Sequence, residues 1–185
     1  MNSKQTDEVL TEIEAMSKRR FLPIVGPRRG KILVKVVRES KPKRILEIGT
    51  LIGYSAVLMG KELESDAQLT TIEINADEAT LARKNIKNAQ VPPTINVIVG
   101  DAVEVLPKIS GNFDLVFIDA DKKGYLKYLC LIENRLHKGS VVVADNAGIF
   151  AYQMRDYLKY VRCSERYRSK FVAVDEDGIE ISVKL

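Results

Sequence analysis

Two short segments place oxygen-bearing side chains directly after strongly apolar runs. Asp119 follows the run in VFIDADKK, and Asp145 and Asn146 follow the run in VVVADN. Carboxylate and amide oxygens with no nearby His or Cys favour Mg²⁺, Mn²⁺ or Ca²⁺ over zinc. Each of these residues could instead cap the helix that follows it. If the two runs are neighbouring strands, the three side chains meet at one sheet edge and indicate a divalent-cation site, with Mg²⁺ the first candidate.

A second group of residues, in ILEIGTLIGYSA and TTIEINADEA, suits a nucleoside. Gly49 and Gly53 follow one apolar run, and Glu73 ends the next. A carboxylate about 20 residues beyond a glycine turn is placed to accept ribose hydroxyls. The glycine spacing differs from the dinucleotide fingerprint, and Glu47 would repel a pyrophosphate. S-adenosylmethionine, with one nucleoside, a positive centre and an amino-acid tail, fits better, although Glu47 could simply pair within the strand end.

These residues need a scaffold that brings strand ends together, and the sequence predicts one. Strands that are apolar on both faces and alternate with amphipathic helices form a parallel sheet that is covered on both sides. Right-handed crossovers then give a doubly wound α/β fold, whose ligands lie at the carboxyl ends of the strands. The predicted strands are 44–49, 68–74, 95–99, 113–119 and 140–145. The predicted helices are 6–17, 27–40, 54–65, 76–89, 102–109, 122–136 and 150–162.

The C-terminal segment departs from this alternation. In YRSKFVAVDEDGIEISVKL, the pair Asp177–Gly178 separates two alternating runs, which predicts a β-hairpin turning at that pair. Five parallel strands and an antiparallel hairpin fit the seven-stranded, Rossmann-like methyltransferase fold better than a dehydrogenase sheet. No linker or repeat divides the chain, so we expect a single domain over 1–185, with an N-terminal helix in 1–20.

Composition sets further expectations. The chain has 185 residues, 45% of them hydrophobic, which suits one domain with a full core. It has no apolar run long enough to span a membrane and no secretory signal, so we expect a cytoplasmic protein. Cys130 and Cys163 lack a C-x-x-C partner and are expected to be buried, reduced thiols. The net charge of +4 comes from basic clusters that are either solvated faces or a surface for an anionic partner such as tRNA. The clusters lie at 18–20, 28–31, 41–44 and 162–170.

Five segments, in order and in register, resemble the catechol and caffeoyl-CoA type of O-methyltransferase. This is a class I family that depends on S-adenosylmethionine and a divalent cation. The segments are GPRRGKILVKVVRESKPKRILEIGTLIGYSAVLMG, TTIEINADEATLARKNI, GDAVEVLP, FDLVFIDADKKGYLKYL and VVVADNAG. The chain departs from the family in having little before residue 21 and a short segment after Asn146, regions that help to shape the acceptor site in relatives.

The resemblance implies a role for each matching residue. The methionine portion of the donor would be held by Glu47, Gly49, Thr50 and Ser55, with the backbone of Val25 closing over it. Glu73 would bind the ribose, and Asp101 and Ala102 would border the adenine. Asp119, Asp145 and Asn146 match the metal ligands, with Asp119 also bordering the donor. Lys122 matches the general base of the catechol enzymes, a role that a lysine beside a dication can perform. Tyr125 and Tyr128, which follow at helical spacing, are expected in the core.

Three functions stay open at this point. The first is methyl transfer from S-adenosylmethionine to a metal-bound hydroxyl of a small catechol-like or phenolic acceptor. The second is methylation of a hydroxylated uridine in tRNA, with the basic clusters as the contact surface. The third is a non-catalytic module that binds S-adenosylmethionine. The resemblance also implies a homodimer, in which the N-terminal helix would cross to the partner.

Overall fold

The computed structural model describes residues 3–185, and every strand in that range belongs to one seven-stranded sheet. The strands are β1 (Arg44–Ile48), β2 (Gln68–Glu73), β3 (Thr94–Val99), β4 (Phe113–Ile118), β5 (Leu136–Ala144), β6 (Tyr167–Val174) and β7 (Asp177–Lys184). The α-helices are α1 (Ser3–Arg19), α2 (Gly26–Ser40), α3 (Tyr54–Gly60), α4 (Ala76–Ala89), α5 (Ala102–Val105), α6 (Tyr125–Ile132) and α7 (Arg155–Cys163). The strand order is β3-β2-β1-β4-β5-β7-β6. The first five strands are parallel and β7 is antiparallel to both neighbours, which confirms the predicted fold class.

The central strands end in register, and this alignment brings the predicted site residues together. Ile48, the last residue of β1, pairs with Ile72 of β2 and with Ile118 of β4. The sheet hydrogen bonds continue one residue further, because the next backbone N–H groups donate to these last carbonyls at 2.9 to 3.0 Å. The donors are those of Gly49, Asp119 and Asp145. The side chains that follow the strands are therefore held by the sheet itself.

Apolar clusters cover both faces of the sheet. Ile45 belongs to the cluster that contains residues of α1 to α4, and Leu46 belongs to the cluster that contains residues of α5 to α7. Since side chains alternate along a strand, Glu47 lies on the same face as Ile45. Glu47 and its β2 neighbour Thr71 are completely buried there. Burying a carboxylate in an apolar layer is costly, which points to a functional reason for this one.

Helix α1 packs against α3 and α4 of its own chain. Val9, Leu10 and Ile13, which lie at helical spacing, are buried in this contact. Met16, about one turn beyond Ile13, is 38% exposed, because the buried stripe ends at Ile13.

The C-terminal hairpin turns two residues earlier than predicted. Strands β6 and β7 flank a turn at Asp175–Glu176, where Asp175 has a φ of 53°. Aspartate tolerates this left-handed conformation better than most residues do. Gly178 is needed for packing rather than for the turn, since a Cβ atom there would lie 2.6 Å from the backbone oxygen of Val172. Asp177 is consequently the first residue of a strand.

Several helix and strand bounds also differ from the prediction. Helix α3 ends at Gly60 rather than at residue 65, and β5 begins at Leu136 rather than at residue 140. The segment 102–109 is α-helical only to Val105 and continues as a 3₁₀ turn around Pro107, which has no N–H to donate to a helix. Further 3₁₀ turns precede and follow α6.

Both cysteines were expected to be buried, and that prediction was wrong. Cys130 and Cys163 are free thiols on the surface. The apolar face of α6 is occupied by Tyr125, Leu129 and Ile132, which leaves Cys130 on the outward side of the helix.

Candidate active site

A cavity of about 640 Å³ opens at the carboxyl ends of the parallel strands. Most of the predicted site residues line it: Val25, Gly49, Thr50, Ser55, Glu73, Asp101, Ala102, Asp119, Lys122 and Asn146. Glu47 and Asp145 are not in its wall; both are completely buried and lie beneath it. Aromatic side chains that were not predicted for the site also line the cavity, namely Phe21, Tyr54, Tyr128 and Phe150.

Glu73 is fixed at the tip of β2 by two backbone groups. Its Oε2 accepts the N–H of Leu51 at 2.7 Å, and its Oε1 accepts the N–H of Asn75 at 3.0 Å. Leu51 has a φ of 50°, an unusual conformation for a leucine, in the turn that makes this contact. The carboxylate is thus oriented at the cavity wall, and its remaining lone pairs can accept hydroxyl groups.

Gly49 permits a close approach between two strand ends. Its φ is 90°, and a Cβ atom there would lie 2.2 Å from the backbone oxygen of Asp119. No other residue could occupy this position without moving β1 away from β4. Asp101, near the opposite wall, caps α5 by accepting the N–H of Val103 at 2.7 Å.

Glu47 lies directly beneath this turn with an incomplete set of hydrogen bonds. Thr71 Oγ1 donates to its Oε2 at 2.5 Å. The hydroxyl groups of Ser55 and Thr50 lie nearby, but Glu47 Oε1 and Thr50 Oγ1 have no well-formed hydrogen bond within residues 3–185. Burial raises the pKa of Glu47 to about 7, and the surrounding hydroxyl groups oppose that effect. A positively charged group in the cavity would stabilise the ionised form.

Asp119, Asp145 and Asn146 meet at the tips of β4 and β5, as predicted. Burial raises the pKa of Asp145, the Asp119 carboxylate adds to this effect, and Arg29 opposes it. Arg29 Nε lies 2.8 Å from Asp145 Oδ1. Neither carboxylate oxygen of Asp145 has a well-aligned hydrogen bond in the described part of the chain. Asn146, with a φ of 60°, donates its Nδ2 to Asp177 at 2.7 Å, which leaves its amide oxygen free to coordinate.

This arrangement suits a hard cation, although it is not a cluster of acids alone. Within residues 3–185, no group of three or more His, Cys, Asp or Glu side chains is arranged to hold a metal ion. The set brought together is two carboxylates and one amide oxygen. Mg²⁺ usually takes few protein ligands and keeps several waters, so an incomplete all-oxygen set fits its requirements. One of these carboxylates, Asp145, is also paired with Arg29.

Lys122 lies beside this oxygen cluster, in the 3₁₀ turn that precedes α6. Its Nζ donates to Asp119 Oδ1 and to the Tyr125 hydroxyl, both at 2.9 Å. The Tyr125 hydroxyl in turn donates to the backbone oxygen of Asp145 at 3.2 Å. The Phe150 ring centre is 5.9 Å from Lys122 Nζ. The amine is therefore held at the cavity wall, between the predicted metal ligands and an aromatic surface.

Besides the aromatic residues of the cavity wall, three further residues around the site were not predicted for it. Tyr125 is buried, as expected for a core residue, but its hydroxyl contacts Lys122. Arg29 was placed in a basic surface cluster and instead pairs with Asp145 and Asp177. Asp177 was assigned to a turn. A periodic pattern cannot reveal the contacts of Arg29 and Asp177, because their partners are far apart along the chain. The contact of Tyr125 with Lys122 spans only three residues, so helical spacing could have indicated it.

Other members of the basic clusters also have intramolecular partners. Arg28 pairs with Asp175, Arg162 with Glu180 and Arg166 with Glu133. Glu180 is completely buried, so the charge of Arg162 serves the interior of the protein. This pairing reduces the positive charge that is available to an anionic partner.

The strand order, with β7 inserted antiparallel between β5 and β6, and a cavity at the ends of the parallel strands define a Rossmann-like methyltransferase fold. The model of a family described as O-methyltransferase matches residues 1–177. The chain belongs to this O-methyltransferase family, which confirms the resemblance seen in the sequence.

Individual relatives and solved structures agree with this membership. The chain is 37% identical over 174 residues to catechol O-methyltransferase B of Danio rerio, covering 87% of this chain and 65% of that protein. The O-methyltransferase TomG from Streptomyces achromogenes, solved with SAM, superposes with a TM-score of 0.87 at 26% identity, covering 96% of this chain and 90% of that one. An O-methyltransferase from Bacillus cereus, solved with SAH, superposes with a TM-score of 0.85 at 25% identity, covering 100% of this chain and 92% of that one.

The chain spans 54% to 65% of the length of three curated catechol O-methyltransferases that it matches. Among the residues described, no helix is both long and apolar enough to cross a membrane.

Proposed function

We propose that the protein is an S-adenosylmethionine-dependent O-methyltransferase that acts on a hydroxyl of a small catechol-like or phenolic acceptor. The observation that carries the proposal is the position of Lys122, whose amine lies 2.9 Å from Asp119 at one end of a cavity that has Glu73 in its wall. A base beside oxygen ligands and a nucleoside-type carboxylate in the same cavity suit methyl transfer to oxygen. Relatives named catechol O-methyltransferase and neighbours solved with SAM or SAH support the same assignment.

The donor would lie across the ends of β1 and β2. Glu73, oriented by two backbone N–H groups, would accept the ribose hydroxyls. Glu47 and Thr50, each with a buried oxygen that lacks a well-formed hydrogen bond in the described chain, suit the charged amino-acid tail. The remaining contacts would come from Val25, Gly49, Ser55, Asp101, Ala102 and Asp119.

A divalent cation, Mg²⁺ in the first instance, would be held by Asp119, Asp145 and Asn146. The carboxylate of Asp145, whose Oδ2 has no well-aligned hydrogen bond in the described chain, and the free amide oxygen of Asn146 fit such an ion. When bound, the ion would supply electrostatic stabilisation to a coordinated hydroxyl and lower its pKa.

Lys122 would accept the proton of the acceptor hydroxyl, which makes the oxygen nucleophilic towards the donor methyl group. Asp119 and Tyr125 position the amine from two sides, so that it cannot swing into solvent. Phe150 and Phe21 provide apolar walls against which an aromatic acceptor can be oriented. Holding acceptor and donor in line can account for much of the rate acceleration.

The observations favour this small acceptor over the alternative, tRNA. Arg28, Arg29 and Arg162 would belong to the contact surface for tRNA, and each is engaged by an acidic side chain. A non-catalytic module would not need the contact between Lys122 and Asp119. The predicted homodimer stays a prediction; sedimentation of the full chain would test it.

The test is methyl transfer from labelled S-adenosylmethionine to catechol, with Mg²⁺ and then with EDTA. We expect transfer with Mg²⁺, loss with EDTA, and loss in Lys122→Ala but not in Lys123→Ala, its exposed neighbour. Transfer that is insensitive to EDTA would contradict the metal assignment. Absence of transfer to catechol, with donor binding intact, would contradict the acceptor class, and salt-sensitive methylation of tRNA would then support the alternative.

A further inference from the structure

The carboxylate of Asp177 connects three parts of the chain behind the candidate metal ligands. Its Oδ2 accepts Asn146 Nδ2 at 2.7 Å and Arg29 Nη1 at 3.1 Å. Its Oδ1 accepts the backbone N–H groups of Gly148 at 3.1 Å and Ile149 at 3.0 Å. One side chain of β7 thus receives donors from α2 and from the segment that follows β5.

The first consequence concerns the orientation of Asn146. An asparagine amide has one end that can bind a cation and one that cannot, and rotation about its terminal torsion exchanges them. Asp177 accepts only from the nitrogen end, so the oxygen end is the one presented to the cavity. Without this acceptor, the amide would present its oxygen for only part of the time.

The second consequence concerns Arg29. Its guanidinium spans the two acids, with Nη1 3.1 Å from Asp177 Oδ2 and Nε 2.8 Å from Asp145 Oδ1. The side chain is only 22% exposed, so solvent screens these contacts weakly. Asp177 therefore anchors the Arg29 guanidinium, which lies against the buried Asp145 carboxylate.

The segment after β5 approaches Asp177 unusually closely. A Cβ atom at Gly148 would lie 2.8 Å from the carbonyl carbon of Asp177 and 2.9 Å from its Cα atom. Glycine at this position is what lets the loop reach the carboxylate. Ala147 adds a backbone hydrogen bond to the Gly178 carbonyl at 3.0 Å.

We propose that Asp177 is a positioning residue for the divalent-cation site, acting through the amide of Asn146 and the guanidinium of Arg29. The inference rests on the proposed function, because it assumes that Asn146 and Asp145 bind a cation. Asp177 itself does not line the cavity, so it touches neither donor nor acceptor there. Replacing groups that orient metal ligands in this way typically lowers metal affinity about 10- to 100-fold.

Asp177→Asn tests the proposal with little change of volume. An amide has one acceptor end and one donor end, so whichever way it turns, its NH₂ group faces donors: either those of Asn146 and Arg29 or those of Gly148 and Ile149. With SAH at saturation, we expect the dissociation constant for Mn²⁺, measured by electron paramagnetic resonance, to rise about 10- to 100-fold. Calorimetry in EDTA should give the wild-type affinity for SAH.

Two further variants control this result. Asp175→Asn, two residues away on the same hairpin, removes an exposed ion pair with Arg28 and should leave Mn²⁺ affinity unchanged. Gly148→Ala keeps the Asp177 side chain but crowds its backbone and Oδ1, so it should separate the loop from the carboxylate and weaken Mn²⁺ binding as Asp177→Asn does. It also decides the matter if Asp177→Asn does not fold.

The outcomes separate the inference from the proposed function. Equal Mn²⁺ affinity in wild type, Asp177→Asn and Gly148→Ala would overturn the inference and leave the proposed metal site standing. Loss of SAH binding together with Mn²⁺ binding would also overturn it, because it would indicate a general structural role. A wild-type protein that binds no Mn²⁺ would overturn the proposed metal site and this inference with it.

Discussion

Replacing Glu47 with glutamine should stabilise the ligand-free protein at neutral and alkaline pH and weaken its binding of the donor. The Glu47 carboxylate is completely buried, with Thr71 donating to Oε2. A glutamine keeps one oxygen for Thr71 and offers its NH₂ group to the Thr50 hydroxyl, which has no well-formed hydrogen bond in residues 3–185. The variant therefore keeps the volume and the hydrogen bonds, and removes only a buried negative charge.

The size of the effect follows from the ionisation of Glu47. Burial raises its pKa from 4.5 to about 7. The pKa of Glu47 is higher in the folded state than in the unfolded state. The stability that the protein has with Glu47 protonated is therefore complete below pH 4.5 and is lost as the pH rises through 7. One pKa unit is worth about 1.4 kcal/mol, so the ionised group costs roughly 3 kcal/mol at pH 8. In a domain of this size that corresponds to a Tm difference of about 6 to 12 °C.

Denaturant unfolding of both proteins in EDTA, between pH 5 and pH 8, measures this difference. The glutamine variant should gain less than about 1 kcal/mol at pH 5 and roughly 3 kcal/mol at pH 8. Calorimetry should show weaker SAH binding by the same variant. Glu39→Gln, an exposed carboxylate paired with Lys35, should show neither change. A stability difference that does not vary with pH would refute the assignment of Glu47 as a buried group that ionises near neutrality.

Other residues give equally direct tests. Lys122→Ala should slow transfer more at pH 7 than at pH 9, because a phenol with a pKa near 10 supplies more of its own anion at higher pH. Equal slowing at both pH values would contradict a base role. Asp145→Ala should abolish transfer and Mn²⁺ binding and preserve SAH binding; loss of SAH binding as well would contradict a metal role. The contact of His137 Nδ1 with the Lys138 carbonyl, and that of Nε2 with Asp114 at 2.8 Å, raise the pKa of His137. This stabilisation is present below the unfolded pKa and is lost above the folded one. His137→Gln should therefore cost less than about 1 kcal/mol at pH 5.5 and nothing at pH 8.5, measured by unfolding; a constant cost would contradict it.

The parts of the site that the sequence predicted are those set by local pattern. An apolar run followed by Gly49, Asp119 or Asp145 marks the end of a buried strand, and parallel strands place such ends along one edge. The register of β1 with β2 and β4 then brings these residues together. Placing these residues at one edge of the sheet needed no long-range information, since the alternation of strands and helices makes the strands run in the same direction.

The parts that were missed depend on pairs that are distant in sequence. Arg29 and Asp177 are 148 residues apart, and nothing in either neighbourhood distinguishes their charges from solvated ones. The Asp-Gly pair at 177 and 178 was taken for the turn because glycine is common there. In the structure, Gly178 is required by the close approach of the Val172 backbone oxygen, and Asp175 takes the left-handed position. The turn signal was present, but packing decided its register.

Buried polar atoms that lack well-formed hydrogen bonds concentrate at one end of the sheet. In the described chain they include Glu47 Oε1, Thr50 Oγ1 and both carboxylate oxygens of Asp145. Each such atom costs about 1 to 3 kcal/mol unless an ion pair compensates it, as Arg29 does for Asp145 Oδ1. A fold retains such atoms where a ligand uses them. Glu47 and Asp145 both feel the Asp119 carboxylate, which lies in the cavity wall near them. A cationic donor near Glu47 and a divalent ion near Asp145 would relieve both strains. The ligand-free site is therefore already organised for a cationic donor beside Glu47 and for a divalent ion beside the Asp145–Arg29 pair.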